Sequence, residues 1–178
     1  MNDRLDLKYI WIVRHGESRG NTGEESDLDP ELTEAGREQA EQLNSSLGQV
    51  HFDRIYLSPL RRTRQTFELS GIPRENVYYD TRILEYRWPG LYSTLLPYEK
   101  LPEYGTVDKH YAWEVSFNVR ISEFADEVRY TAFDNILLVT HGGAAIELVR
   151  AFLDSANCCP DQACMPLHYM DNTGHVAC

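Results

Sequence analysis

Two stretches of this chain are apolar almost without interruption, Tyr9 to Val13 (YIWIV) and Ile136 to Thr140 (ILLVT). A strand of this kind has no polar face to offer water, so it belongs in a sheet covered on both sides, the usual setting of parallel strands. Arg54 to Leu57 and the less regular Val77 to Leu84 read as further strands. Helical spacing lies between them. Thr33 is placed to cap a helix that runs to about Leu47, with Ala40, Leu43 and Leu47 on one face and Gly48 as its stop. A second helix is predicted from near Pro59 to Gly71. A third is predicted from about Val107 to Thr131, where Trp113, Phe117, Ile121, Phe124 and Val128 keep a 3.6-residue period, and a fourth from about Ala144 to Leu153. Strand then helix, repeated four times, predicts an α/β fold: a three-layer α/β/α sandwich with a mostly parallel sheet. At 178 residues the chain reads as a single domain, residues 1–178, with one loop from about Trp88 to Gly105 inserted into the rhythm.

Charge narrows the partners. There are 28 acidic and 17 basic side chains, a net charge of −11, so nucleic acid and anionic membrane are not expected to bind. No apolar run approaches the ~18 residues of a membrane span, and the first residues lack the pattern of a secretory signal, which makes the cytoplasm the expected location. Any anion must be held by a local pocket, and the bases suit one. Only Lys8, Lys100 and Lys109 are lysines; the rest are arginines, with Arg14, Arg19, Arg61, Arg62 and Arg64 close in sequence. Arginine grips phosphate with a planar fork of donors. The four cysteines, Cys158, Cys159, Cys164 and Cys178, lie near His168 and His175, but their spacing does not match paired zinc ligands, and no metal is expected.

In open α/β sheets ligands bind at the carboxyl ends of the strands. Past the first predicted strand comes Arg14-His15-Gly16-Glu17-Ser18; past the second, Ser58-Pro59-Leu60-Arg61-Arg62; past the third, Glu85; past the fourth, His141-Gly142-Gly143. Two histidines, arginines and one carboxylate would thus converge on one edge. A neutral imidazole attacks phosphorus well, and arginines with a second, protonated histidine can balance the charge of a transferring phosphoryl group without a metal. Glu85 can give the leaving alkoxide its proton.

These residues resemble the histidine phosphatase superfamily, which includes cofactor-dependent phosphoglycerate mutase. Arg14-His15-Gly16-Glu17-Ser18-x-x-Asn21 is similar to its R-H-G-[EQ]-[ST]-x-x-N signature. Leu32-Thr33-Glu34-Ala35-Gly36, Ser58-Pro59-Leu60-Arg61-Arg62-Thr63 with Gln65-Thr66, and His141-Gly142-Gly143 resemble further motifs in the same order. The resemblance implies a phosphoglycerate mutase-like fold and a metal-independent phosphatase that hydrolyses a small phosphomonoester, with no cofactor. It implies His15 as the phosphorylated nucleophile, His141 as the second catalytic histidine and Glu85 as proton donor. Arg14, Asn21, Arg62 and Gly142 would contact the phosphate, with Arg61 left to solvent. Against the family pattern, the segment after Glu85 is compressed. Asn172-Thr173-Gly174 resembles a turn into a late strand, after which a final edge strand is expected to be absent. Nothing in the sequence sets an oligomeric state.

Three other functions are open to the same residues. A mutase would transfer the phosphoryl group rather than release it; the short inserted loop and chain end offer little to cover the site, which favours hydrolysis. A pocket of this kind can also bind a phosphorylated partner without turnover. Finally, Gly16-Glu17-Ser18-Arg19-Gly20 fits the G-x-S-x-G elbow of serine hydrolases, with Ser18 as nucleophile, but an elbow turns straight into a helix, and the residues from Asn21 to Pro30 are acidic and broken.

Overall fold

The computed structural model describes residues 9–25, 29–85, 105–109, 116–154 and 175–177. Among them are six strands: β1 (Tyr9–Arg14), β2 (Arg54–Leu57), β3 (Val77–Asp80), β4 (Gly105–Lys109), β5 (Asn135–Thr140) and β6 (His175–Ala177). They form one sheet in the order β4-β3-β2-β5-β1-β6. Every neighbouring pair is parallel except β6, which runs antiparallel to β1. The helices are α1 (Arg19–Thr22), α2 (Glu34–Leu47), α3 (Arg61–Leu69), α4 (Phe117–Tyr130) and α5 (Gly142–Asp154), with a 3₁₀ turn at Thr81–Ile83.

The apolar run of β5 is buried on both faces. Ile136 and Leu138 pack with Phe124 and Val128 of α4 and Leu148 and Phe152 of α5, while Leu137 and Val139 pack with Leu43 and Leu47 of α2 and Phe67 of α3. The alternation of side chains along a strand divides one apolar run between two cores, giving the three layers. Each such fully buried aliphatic side chain contributes about 1.5–3 kcal/mol. Thr33 caps α2, its Oγ1 accepting from the Gly36 amide at 3.0 Å, and Gly48 ends it.

Two expectations need correction. Val107 to Lys109 is not helix but the end of edge strand β4; the helix begins only at Phe117, and Trp113 lies outside the described residues. Gly105–Lys109 (GTVDK) has a single apolar residue, so it carries no strand signal, and Val107 happens to extend the period of the helix behind it. The strand predicted to reach Leu84 stops at Asp80, whose side chain accepts from the Arg82 amide and turns the chain. The late strand expected after Asn172-Thr173-Gly174 is present as β6, which pairs with the outer side of β1. The inserted loop lies outside the described residues apart from Gly105, and so do all four cysteines. Among the described residues no helix is long and apolar enough to cross a membrane.

The parallel arrangement brings the ends of β1, β2, β3 and β5 to one edge. Arg14 is register-paired with Thr140, and the ladder continues one residue further, the His15 amide donating to the Thr140 carbonyl at 3.0 Å. His15 and His141 therefore leave the sheet side by side.

Candidate active site

His15 is buried, with 4% of its surface exposed. Its Nδ1 lies 2.7 Å from the carbonyl oxygen of Gly16. A carbonyl can only accept, so Nδ1 carries the ring proton and Nε2 holds the lone pair. That lone pair accepts from Nε of Arg62 at 3.1 Å. Burial, reinforced by the positive charges of Arg62 and Arg14, pushes the imidazole down to a pKa of about 3, against the upward pull of the Gly16 carbonyl. The ring is neutral and its lone pair available at any pH near neutrality.

The loop carrying His15 is fixed from two sides. The Gly16 amide donates to Oγ1 of Thr66 at 3.0 Å, and that hydroxyl donates to the Arg62 carbonyl at 2.7 Å, so a single α3 side chain joins the histidine loop to the helix bearing Arg62. On the other side the loop lies directly on α2. A Cβ on Gly36 would stand 2.0 Å from the Glu17 carbonyl oxygen, and one on Gly16 would stand 2.4 Å from that of Gly36. Only residues without side chains allow backbones this close.

His141 is fully buried between the end of β5 and the start of α5, its carbonyl accepting from the Ala145 amide at 2.8 Å. Its ring stands 5.2 Å from that of His15, centroid to centroid, with an interplanar angle of 63°. Nε2 shares a 2.6 Å hydrogen bond with Oγ of Ser58. Nδ1 is buried without a hydrogen-bond partner among the described residues. An unsatisfied buried nitrogen costs about 1–3 kcal/mol, and native structures keep few of them. Burial, then the positive charge of Arg62, hold the His141 pKa well below its ordinary value. In the ligand-free protein burial and the surrounding arginines thus favour the neutral ring, where the sequence reading has a protonated one.

Arg62 is buried and turned to His15, whereas Arg61 is half-exposed, its Nη1 3.4 Å from Glu31. The start of α3 is held by Asp29, which accepts from the Arg61 amide at 2.6 Å. Arg14 lies against Gly142, where a Cβ would come within 3.4 Å of its Nε. Glu85 follows the 3₁₀ turn and accepts from the Gly143 amide through Oε2 at 3.1 Å; a Cβ on Gly143 would meet its Oε1 at 2.5 Å. Thus His15, His141, Arg62, Arg14, Gly142 and Glu85 share one sheet edge. Asn21 stands apart. It is exposed, and its Oδ1 accepts from the Ser18 amide and hydroxyl, each at 2.9 Å, which leaves only its Nδ2 for a ligand.

Ser18 is followed by the single turn of α1, contrary to the expectation of no helix there. Its hydroxyl is nevertheless bonded to an amide oxygen, whereas a hydrolase serine needs a base in that place. No group of three or more His, Cys, Asp or Glu able to hold a metal occurs among the described residues. Sequence reading overlooked Ser58 as partner of His141 and Arg120 of α4, which is buried against the segment leading to Glu85. An arginine in a helix of ordinary period gives no sign of where its fork will end.

Comparison with known proteins shows the family and the fold. The model of the histidine phosphatase superfamily (branch 1) matches residues 10–173. Phosphoserine phosphatase 1 of Hydrogenobacter thermophilus is 32% identical over 146 residues, covering 73% of this chain and 69% of that protein. Among solved structures, a mycobacterial glucosyl-3-phosphoglycerate phosphatase in complex with VO3 has a TM-score of 0.62 at 22% identity, covering 96% of this chain and 90% of that one. A phosphoserine phosphatase of Entamoeba histolytica, in complex with 3-phosphoglyceric acid, has a TM-score of 0.56 at 21% identity over 96% and 90% of the two chains. The shared fold, the ordered motifs and the length of the match place the chain in one family: it belongs to the histidine phosphatase superfamily, branch 1.

Proposed function

We propose that this chain is a metal-independent phosphatase that hydrolyses a small phosphomonoester through a phosphohistidine at Nε2 of His15. The observation that carries the reading is the fixed state of His15: neutral, with its proton held by the Gly16 carbonyl and its lone pair facing the Arg62 guanidinium. That arrangement suits a nucleophile whose target arrives on the arginine. A phosphoryl group would draw the Arg62 donors to its oxygens and release the lone pair for in-line attack. Arg14 and Arg62 offer charge to the equatorial oxygens, and the unpartnered Nδ1 of His141 offers a further contact.

In the first step Nε2 forms a bond to phosphorus as the bond to the ester oxygen breaks, and Glu85 gives its proton to the departing alkoxide. In the second, water attacks the phosphohistidine, Glu85 takes the proton from that water, and phosphate leaves with the His15 lone pair restored. The phosphatase names of the relatives support hydrolysis of a small phosphorylated molecule.

Brief reaction with a radiolabelled aryl phosphate, stopped in alkali, tests the reading. Label stable to alkali, lost in acid and mapped to His15 is the expected result, with His15→Ala folded but inert. Label on a serine or cysteine would refute the mechanism.

A further inference from the structure

Glu85 is half-exposed, and its carboxylate accepts from the Gly143 amide at the pocket. The backbone bearing it, residues 81–85, leaves β3 through a single 3₁₀ turn, so sheet hydrogen bonds do not hold its carbonyls. A different residue does. Nη1 of Arg120 donates to the carbonyls of Thr81 at 3.0 Å and Arg82 at 2.7 Å, and Nη2 donates to those of Leu84 at 2.7 Å and Glu85 at 3.0 Å. The guanidinium lies over the Phe117 ring, 4.8 Å from its centroid, which fixes the plane of the fork. The segment is tied again by Oγ1 of Thr140 to the Ile83 carbonyl at 2.6 Å, and by Arg82, ion-paired to Asp80 and Glu127.

We infer that Arg120 is a positioning residue for the acid step, holding Glu85 at the pocket by clamping four carbonyls of the segment that carries it. The inference rests on the proposed role of Glu85. Its physical basis is the geometry of the fork. Two nitrogens in one rigid plane can reach carbonyls on both sides of a turn, while a lysine ammonium is a single point with three donors and cannot span them. A displacement of the carboxyl group by about 1 Å is enough to cost on the order of 100-fold in rate. Arg120→Lys keeps the positive charge and removes the span of the clamp together with the planar stack on Phe117.

The experiment compares kcat/KM for glycerol phosphate, whose alkoxide needs a proton to leave, with 4-nitrophenyl phosphate, whose phenolate does not. Wild type, Arg120→Lys, Glu85→Gln and the double variant are assayed together. Arg120→Lys is expected to slow glycerol phosphate by about 10- to 100-fold, within the range of a lost general acid, and to leave 4-nitrophenyl phosphate near the wild-type rate. In the double variant the loss should be no larger than in Glu85→Gln alone, because two residues acting through one step do not add. Equal loss on both esters, no loss on either, or full additivity would overturn the inference while the role of Glu85 stands. If Glu85→Gln itself spares glycerol phosphate, the acid reading falls and the inference with it. Should Arg120→Lys not fold, Arg120→Gln is assayed in its place; if neither yields folded protein, the clamp serves the fold and the inference is overturned.

Discussion

Keeping an imidazole dry beside two guanidinium groups makes its charged form the expensive one, and this gives the protein a particular response to acid. An unfolded histidine titrates near 6.5, whereas folded His15 titrates at about 3. Below pH 6.5 the unfolded chain takes up a proton that the folded chain refuses, so the contribution of His15 to stability is complete above that pH and is lost as the pH falls toward 3. At pH 5 the loss amounts to about 2 kcal/mol from this residue alone. His141 is depressed too and acts in the same direction. Denaturation at pH 7.5 and pH 5 is the check. The drop in stability between the two should shrink by about 2 kcal/mol in His15→Asn, and an unchanged drop would show that His15 is not held neutral by burial. The sequence makes His15 legible through its place after an apolar strand. It does not reveal the tautomer, which depends on a carbonyl one residue away and on an arginine 47 residues away.

At the scale of elements, the contact between the β1 loop and the start of α2 is unusually close. Glycine within a helix normally gives way to alanine with a gain of about 1 kcal/mol. At Gly36 the sign should reverse, because the new Cβ meets the Glu17 carbonyl at 2.0 Å and neither backbone can move without displacing His15. Gly36→Ala is expected to lose about 1–3 kcal/mol and, by shifting the nucleophile, most of its turnover; a melting temperature and rate equal to wild type would refute the close approach. The same elements show what sequence can reveal. Strands β1 and β5 were legible because both their faces are apolar, and α2 because Thr33, its apolar face and Gly48 agree on its limits. Strand β4 was not, since Gly105–Lys109 pairs with β3 through the backbone and has a single apolar residue to signal it in the sequence. Nor was the clamp on the Glu85 segment, because Arg120 binds carbonyls, which every residue has and no pattern records.

For the molecule as a whole, the choice between releasing a phosphoryl group and passing it on depends on water. Arg14, Gly142, Gly143 and Glu85 are partly exposed at the strand edge, and the proposed hydrolysis requires that water reach the phosphohistidine from that side. Supplied with 3-phosphoglycerate and a trace of 2,3-bisphosphoglycerate, the enzyme should give no rapid isomerisation, and with a suitable ester it should release phosphate; fast isomerisation with negligible phosphate would establish a mutase. Overnight chelation should leave the rate unchanged, since the pocket gathers arginines rather than carboxylates, and activity restored only by an added divalent ion would contradict this.

The register of β1 against β5 sets one further limit. His15 and His141 each follow one half of the pair Arg14–Thr140, so the 5.2 Å between their rings is inherited from the spacing of adjacent strands, about 4.8 Å. The relative placement of the two rings is thus set by backbone pairing, and a substitution at the rim of the pocket is not expected to change it. Such fixed geometry does little to distinguish a phosphoryl group from a sulfuryl group of nearly the same size. If the protein is the phosphomonoesterase proposed, any preference over a sulfate ester is expected to come from charge, through arginines that meet two negative charges on a phosphomonoester and only one on its sulfur counterpart.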